Sequence, residues 1–441
     1  MSLVVLTAPA PLVDLDRFLD ATAEGCRASP LFLWDAEGAP FGLAGRGEAV
    51  RIEGRGEGRF RQVVERARRS FADLVDHRLP GAEDAPAPAL FGGLAFHPMP
   101  VWEEPWTGFG DASFVLPRWS YVRGGRTGRA FLRLGLRSAD LPWIHGWLAA
   151  LAEILGDLAE TAPAEAAGGE RSDGAAELVQ MTEEVWSGLV SDALGRISAR
   201  RLRKIVAARR SQVTAAAPID VLGVLARLRR SGGQGCVRFA FQREAATFLG
   251  QTPERLVSLS GRDVTTEAIA GSATGPDAGA ILERPKERWE HAVVVDGIRR
   301  ALGPICDGLE IPDEPGVRAL PGIHHLCTPI HGTLKEPLHV LDLARKLHPT
   351  PAVSGAPGRP ATRWIVQHEP HARGWYAGPV GWFDPGGNGE LAVAIRSGVI
   401  MRRRAWIWAG AGIVAGSDPE SEYAETGAKQ APLLHALGLA A

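Results

Sequence analysis

The chain has 441 residues, of which 45% are hydrophobic and 23% are charged, so it can bury a large core. Its 49 basic and 51 acidic residues give a net charge of −2, which excludes bulk attraction to nucleic acid or to an anionic membrane as the main activity. The 53 glycines and 32 prolines predict many turns but do not reach the content of a low-complexity chain.

Targeting and redox patterns indicate a cytoplasmic protein. The N-terminal sequence has no basic segment before its apolar residues, so we expect no signal peptide. No uncharged apolar stretch reaches about 18 residues, so we expect no transmembrane helix. The four cysteines are far apart and form no CxxC pair, which is typical of reduced thiols; they are Cys26, Cys236, Cys306 and Cys327.

The N-terminal part, residues 1–159, alternates short apolar runs with glycine turns and carries few groups suited to catalysis, so we predict a scaffold role. A hairpin is expected around residues 123–128, and a helix over 138–159. Residues 160–177 are small, charged and free of large apolar side chains, which predicts a surface loop or linker. The remaining segment, 178–441, holds the residues that could carry chemistry.

Within that segment the pattern predicts one or two helices over 178–210, then strands from 236 and a hairpin turning at 260–263. A helix is expected over 283–302 and a third hairpin over 391–414. The final helix opens with a capping box, with Ser417 as N-cap and Glu420 three residues later. Many hairpins with interspersed helices predict an α/β (α+β) fold built on antiparallel sheets.

Two predicted helices each present a pair of carboxylates three residues apart, and Lys429 follows on one of those faces. Carboxylates that converge from two helices could bind a hard divalent cation such as Mg²⁺. Exposed acidic residues at this spacing are also typical of solvated helix faces, so spacing alone leaves both interpretations open. The pairs are Glu287 with Glu290 and Glu422 with Glu425.

Other segments carry candidates of a different kind. Small residues followed by Arg396 form one face of the strand predicted over 391–396, where a ligand carboxylate could bind the guanidinium group. Lys204 lies in an apolar run, and a desolvated lysine can serve as a base. Glu254 follows a proline in a turn between two strands, which can display an acid to a cleft. Each pattern is more often that of an ordinary surface or structural residue.

Taken together, the ordered segments resemble the chorismate-utilising enzymes, and among them the isochorismate synthases. The similarity covers about residues 200–435 and is looser in the N-terminal half. It rests on nine motifs in family order: RKIVAAR, FLGQTPERL, TEAIAGSATG, PKERWEHAVVVDGI, HHLCTPIHGTL, LHPTPAVSGAP, RGWYAGPVGW, GELAVAIRS and AGAGIVAGSDPESEYAETGAK.

The resemblance implies a role for each position. It implies that Lys204 is the general base, that Glu254 is the general acid, and that Glu290 and Glu425 bind Mg²⁺ with Glu287 and Glu422 beside them. The substrate-binding positions that it implies are Gly271, Ser272, Ala352, Tyr376, Arg396, Gly412 and Lys429. The implied fold has two subdomains, each an antiparallel sheet flanked by helices, with the active site in the cleft between them.

The implied reaction is Mg²⁺-dependent conversion of chorismate to isochorismate, which serves menaquinone or siderophore synthesis. Lys204 argues against the ammonia-adding relatives, and Ala352 argues against a salicylate synthase or other lyase, because lyases and aminating members tend to have threonine there. A non-catalytic chorismate-binding module is the second alternative. We expect a small-molecule substrate, and neither nucleic acid, membrane nor an obligatory protein partner.

Overall fold

The structure, a computed structural model, describes residues 3–23, 29–36, 41–99, 102–124, 128–160, 176–233, 235–274 and 278–439. Cys26 and most of the expected loop over 160–177 lie outside these ranges. The helices are α1 (Leu15–Ala21), α2 (Arg59–Ala72), α3 (Ile144–Glu160), α4 (Glu183–Ser198), α5 (Val221–Ser231), α6 (Pro285–Leu302), α7 (Val340–Leu347), α8 (Gly358–His368) and α9 (Pro419–Ala436).

Strands are distributed along the whole described chain. Those in the first half are β1 (Leu3–Ala10), β2 (Leu31–Ala36), β3 (Phe41–Gly54), β4 (Leu74–Arg78), β5 (Leu90–Leu94), β6 (Ala112–Gly124), β7 (Ala130–Arg137), β8 (Glu177–Gln180) and β9 (Lys204–Thr214). Those in the second half are β10 (Val237–Arg243), β11 (Ala246–Thr252), β12 (Arg255–Ser260), β13 (Asp263–Ala273), β14 (Cys306–Glu310), β15 (Gly316–Leu320), β16 (Ile323–Leu334), β17 (Gly355–Ala356), β18 (Pro379–Phe383), β19 (Gly389–Val393), β20 (Ser397–Met401) and β21 (Arg404–Ile413).

The predicted antiparallel α+β architecture is confirmed. Within the described ranges every strand pairing is antiparallel except β1 with β4. One run of neighbours is β4-β1-β7-β6-β3-β2-β10-β11-β20-β21-β9, with β8 and β17 on β9. A second run leaves the first half of β6 and continues β5-β18-β19-β12-β13-β16, with β14 and β15 on β16. The long strand β6 therefore joins two sheets.

Side chains that alternate between the two faces of the strands contribute to two separate hydrophobic cores. In β10, β11 and β21 the large aromatic side chains face an inner core that includes residues of both runs. The residues between them face an outer core formed with α1, α3, α5 and α9. Because successive side chains of a strand point to opposite faces, each such strand contributes to both cores. The inner-core aromatic residues are Phe239, Phe241, Phe248, Trp406 and Trp408.

Three local predictions need correction. Of the one or two helices expected over 178–210, only α4 forms. Glu177–Gln180 is strand β8 and Lys204–Thr214 is strand β9, because pairing of β9 with β8 and β21 overrides the local pattern. The N-cap of α9 is Asp418 rather than Ser417, since Pro419 at the first helical position holds the preceding residue in an extended conformation. The Asp418 side chain accepts a hydrogen bond from the Ser421 N–H.

The strand expected over 391–396 ends at Val393. The Ile395 N–H donates to the Val393 carbonyl, which turns the chain, and Arg396 has a φ of +52°. The third expected hairpin is therefore formed by β20 and β21, while β19 pairs with β12 and β18. The hairpins β6–β7 and β12–β13 and the helix α6 agree with expectation. No helix in the described part of the chain is long and apolar enough to cross a membrane.

Candidate active site

A pocket of about 650 Å³, including solvent at its mouth, lies where β9 and β21 of the first sheet meet β13 and α6 of the second. Its walls come from the segment between residues 206 and 429. Nine of the thirteen site residues predicted from the sequence line it: Glu254, Gly271, Ser272, Glu290, Ala352, Tyr376, Arg396, Gly412 and Lys429.

Lys204 begins β9 and is fully buried. The β-branched residues that follow it suit a strand, and they pair with the end of β21. The Lys204 ammonium group lies 2.9 Å from the Glu290 carboxylate, which lines the pocket from α6. A Cβ atom at Gly412 would overlap that carboxylate and lie 3.2 Å from the Lys204 Cε. Glycine at 412 therefore leaves the space that this ion pair occupies.

Glu254 lies in the turn between β11 and β12, as predicted, and its side chain is buried in the pocket wall. Burial raises the pKa of Glu254 to about 8, with a further contribution from Glu267, while Lys204, Lys429 and Arg318 act in the opposite direction. A carboxyl group with this pKa holds its proton at neutral pH and can donate it.

Three of the four carboxylates predicted for the metal site form an ion pair with a lysine. Besides the pair of Glu290 with Lys204, Glu422 lies 2.5 Å from Lys286. Glu425 lies 2.5 Å from Lys429 on the same face of α9. Burial favours a higher pKa of Glu290, but Lys204 outweighs it with help from Lys429 and Lys286, so the pKa lies below its ordinary value. The pKa of Glu422 is raised by burial and by Glu425.

These carboxylates fit a magnesium ion by their chemistry. No group of three or more His, Cys, Asp and Glu side chains in the described ranges is arranged to bind a metal. Mg²⁺ does not need such a cage, because one or two carboxylates, waters and a substrate anion suffice. Glu422, Glu290 and Glu425 all act to raise the pKa of Lys286 against the effect of its burial, so the three carboxylates favour a positive charge at this place. Glu287 is partly exposed and does not line the pocket.

Arg396 reaches the pocket from the turn after β19. Its guanidinium Nη2 donates to Nε2 of His325 over 3.0 Å. Because arginine only donates, the His325 proton must be on Nδ1, which faces the Ser272 hydroxyl at 3.2 Å and the Gly271 carbonyl at 3.3 Å. Burial lowers the pKa of His325 well below its ordinary value, so the imidazole is neutral. It thus leaves the charge of Arg396 available for an anion.

Gly271 forms a bulge in β13 at the bottom of this array. Its φ of +75° is in the left-handed region, and a Cβ atom there would lie 2.9 Å from the Glu287 carbonyl oxygen. The ladder with β16 shifts register between Ala270 and Ser272. Glycine therefore allows α6 to approach β13 closely, which brings Glu290 to the pocket.

The remaining wall is aromatic and is held by a buried arginine. The Tyr376 ring stacks on Trp408 with centroids 6.2 Å apart, and burial raises the pKa of the phenol. Arg373 donates to the carbonyls of Val353 and Val206 over 2.7 and 2.8 Å and pairs with Glu369. It thereby connects the loop that carries Ala352 to strand β9.

Thirteen site positions are predicted from the sequence, but four residues that support them are not: His325, Arg373, Glu267 and Arg318. Three of the four lie within motifs already recognised, HHLCTPIHGTL, RGWYAGPVGW and TEAIAGSATG. A histidine or arginine inside a motif is a usable signal, but the groups that place it at the pocket are distant in the sequence: Arg396 for His325 and the Val206 carbonyl for Arg373. Arg318 lies outside every motif, so only the structure identifies it.

Comparison with known proteins identifies related sequences and structures. A family model described as chorismate binding enzyme matches residues 1–438. The chain is 36% identical to the salicylate biosynthesis isochorismate synthase of Pseudomonas aeruginosa, over 98% of this chain and 90% of that protein. It is 34% identical to the isochorismate synthase MenF of Bacillus subtilis, over 92% and 88% of the two chains.

Solved structures give the same result for the fold. The menaquinone-specific isochorismate synthase MenF of Escherichia coli matches with a TM-score of 0.78 and 27% identity, over 99% of this chain and 95% of that chain. The anthranilate synthase component I of Streptococcus pneumoniae matches with a TM-score of 0.71 and 23% identity, over 90% and 93%. At that identity the second match supports the fold alone.

Proposed function

The chain belongs to the chorismate binding enzyme family, and from this premise we propose that it is an isochorismate synthase. The enzyme is an isomerase: a water oxygen bonds to C2 of chorismate, two ring double bonds shift, and the C4 hydroxyl leaves. One water enters and one leaves, so substrate and product are isomers. The two relatives that match over most of the chain, each at least 34% identical, are named as isochorismate synthases and support this assignment.

Lys204 and Glu254 divide the proton transfers of this reaction. Lys204 acts in its neutral form, after its ammonium group has given its proton to solvent, and then accepts a proton from water as the water oxygen bonds to C2. Glu254 gives a proton to the departing C4 oxygen. Hydroxide is a poor leaving group, so the acid must be protonated when the C–O bond breaks. The two side chains come from β9 and from the β11–β12 turn, and the charge of Lys204 acts to lower the pKa of Glu254. After turnover Lys204 returns its proton to solvent and Glu254 regains one.

Substrate binding requires positive charge, because chorismate has two carboxylates. Arg396 and Lys429 line the pocket and supply cationic groups for them. Glu290 and Glu425 would hold Mg²⁺, with Glu422 and Glu287 beside them. When bound, the metal neutralises the glutamates and anchors a substrate carboxylate that they would otherwise repel.

The observation that carries the proposal is the buried Glu254, whose pKa is raised to about 8, in a pocket that also holds Arg396 and Lys429. A solvated turn carboxylate would be ionised at neutral pH and could not act as the acid. The direct test is to incubate the purified protein with chorismate and Mg²⁺ and to separate the products by chromatography. Isochorismate as the main product supports the proposal, whereas salicylate with pyruvate would instead indicate the lyase.

We further propose that the enzyme works in the cytoplasm. The three cysteines in the described ranges are not in disulfides, which suits a reducing compartment: Cys236, Cys306 and Cys327. Chorismate is the partner that the family implies. The relatives' names include salicylate biosynthesis and menaquinone, so the consuming step is aromatic or quinone synthesis from isochorismate.

A further inference from the structure

A bidentate ion pair lies behind the turn that carries Glu254. Arg318, on β15, donates from Nη1 and Nη2 to the two carboxylate oxygens of Glu267, on β13, over 3.0 and 2.8 Å. Strand β16 runs between β15 and β13, so the pair bridges across it. Both side chains are largely buried, with exposed fractions of 24% and 10%. Neither of them lines the pocket.

The pair binds the backbone on both sides of Glu254. Arg318 Nη1 donates to the carbonyl oxygen of Pro253 over 2.7 Å, on the N-terminal side. The N–H of Arg255, on the C-terminal side, donates to Glu267 Oε1 over 2.9 Å. One planar, hydrogen-bonded unit therefore holds the residues before and after the acid.

Glu254's own backbone groups are held by a second set of bonds. Its N–H donates to the Thr252 hydroxyl over 3.2 Å, and its carbonyl accepts from the Val393 N–H over 2.9 Å. Every backbone donor and acceptor from Pro253 to Glu254, and the N–H of Arg255, is thus engaged. Because the backbone groups of this buried turn are hydrogen-bonded, the turn has little freedom to rotate the Glu254 side chain away from the pocket.

We propose that the Arg318–Glu267 pair is a positioning device for the general acid: it fixes the turn on both sides of Glu254 and so sets the place of the carboxyl group in the pocket. The inference rests on the proposed function, since it requires that Glu254 act as an acid. Arg318 and Glu267 are positioning residues, because they act through the turn and do not touch the pocket.

The two members also act on Glu254 with opposite electrostatic effects. Burial is the main cause of the raised pKa of Glu254; Glu267 raises it further, and Arg318 lowers it together with Lys204 and Lys429. Removal of the Glu267 charge should therefore move the loss of activity at high pH to lower pH. Removal of the Arg318 charge should move it to higher pH. If the pair only stabilised the fold, we would expect no opposite shifts of the pH at which the two variants lose activity.

The test compares the rate of isochorismate formation as a function of pH in four variants of the full chain. Glu267→Gln and Arg318→Met each remove one charge, and Arg318→Lys keeps the charge but loses the planar fork. Asp16→Asn is the matched control, because Asp16 forms a bidentate pair with the buried Arg238 outside the pocket at 2.7 and 2.9 Å.

We expect kcat to fall roughly ten- to a hundredfold in the three pair variants with a smaller change in KM, as for a misplaced catalytic group. The pH at which activity is lost on the alkaline side should be lower by about half a unit or more in Glu267→Gln, and higher in Arg318→Met. Arg318→Lys should have a lower kcat, and the pH at which it loses activity on the alkaline side should be nearly that of wild type. Asp16→Asn should keep the wild-type kcat and the wild-type pH of this loss, even if its Tm falls.

The positioning role is tested by comparing the pair variants with Glu254→Gln and with the control Asp16→Asn. If wild type makes isochorismate and Glu254→Gln does not, while the pair variants match Asp16→Asn in kcat and in the pH at which activity is lost, then only this inference fails. If wild type makes no isochorismate, or Glu254→Gln is as active as wild type, the proposed function or its acid fails first and the inference falls with it. If Glu267→Gln does not fold, Arg318→Lys decides.

Discussion

The ammonium group of Lys204 is 2.9 Å from the carboxylate of Glu290, so the proposed base touches a proposed magnesium ligand. The two residues come from β9 and α6, far apart in the sequence. The proposed metal site and the proposed base are consequently one electrostatic unit. A substitution at either residue changes the environment of the other, and the experiments on them need separate readouts.

The base is tested by Lys204→Ala. We expect kcat to fall roughly 10²- to 10⁴-fold, the usual span for one general acid or base. The Mg²⁺ concentration for half-maximal residual activity should fall or stay the same, because the competing ammonium group is gone. Lys346→Ala, on α7 and not in the pocket wall, is the control and should keep wild-type rates. A Lys204→Ala enzyme with near-normal kcat would show that another group is the base.

The metal is tested by removal. Activity should vanish in excess chelator and return with added Mg²⁺, because the glutamates of the site otherwise repel a dicarboxylate substrate. Glu290→Gln and Glu425→Gln should each abolish turnover without unfolding the protein, as judged by circular dichroism. Glu314→Gln, an exposed residue paired with Arg288, should behave as wild type. Full activity in chelator would contradict the magnesium assignment.

The acid predicts a specific pH dependence. The pKa of Glu254 is raised to about 8 from an ordinary value of 4.5, chiefly by burial, and the active form is protonated. The ratio kcat/KM should therefore fall as the pH rises through about 8, since it reports the free enzyme. Glu254→Gln should lower kcat strongly and abolish this limb. A wild-type profile flat to pH 10 would contradict the assignment.

The same carboxyl group predicts a trend in stability. Because its pKa is higher in the folded than in the unfolded state, the folded state binds more protons between about pH 4.5 and 8. Its contribution to the free energy of unfolding is greatest below this window and is lost as the pH rises through it. The Tm of wild type should therefore decline relative to that of Glu254→Gln across the window. A constant difference in Tm would contradict a raised pKa.

Gly412 tests how much space the Lys204–Glu290 pair needs. A Cβ atom at this position would overlap the Glu290 carboxylate, although the backbone conformation itself suits alanine. Gly412→Ala should thus displace Glu290 and reduce kcat by roughly tenfold or more, with the fold intact. Gly195→Ala, on α4 with open space around it, is the control and should leave activity unchanged. Equal activity in the two variants would remove Gly412 from the site.

Ala352 tests the choice of product. Its methyl group lines the pocket and offers no hydrogen bond. Threonine would add a hydroxyl worth about 0.5–1.5 kcal/mol in a confined site, or roughly three- to tenfold in partitioning. Ala352→Thr should yield a small new salicylate and pyruvate signal with isochorismate still dominant, measured at equal conversion. No change in the product ratio would exclude this role for Ala352.

The antiparallel architecture could be predicted from the sequence, and so could nine of the residues that line the pocket, because ordered motifs carry them. The local sequence pattern gave the wrong secondary structure where pairing with a segment distant in the sequence decides it. Lys204 begins a strand, not a helix, because β21 pairs with its segment. Arg396 leaves its strand, because the chain turns after Val393. Likewise, the neutral His325 beside Arg396 and the Arg318–Glu267 pair behind Glu254 depend on contacts across strands, which no local spacing encodes.

The most direct test of the whole account is a single turnover experiment on chorismate in ¹⁸O-labelled water with Mg²⁺, followed by mass spectrometry at low conversion. We expect isochorismate as the main product, with one solvent oxygen at C2, because water attacks that carbon and the C4 hydroxyl leaves. Isochorismate without label would contradict attack by water activated at Lys204. Salicylate with pyruvate, or unchanged chorismate, would contradict the proposed function itself.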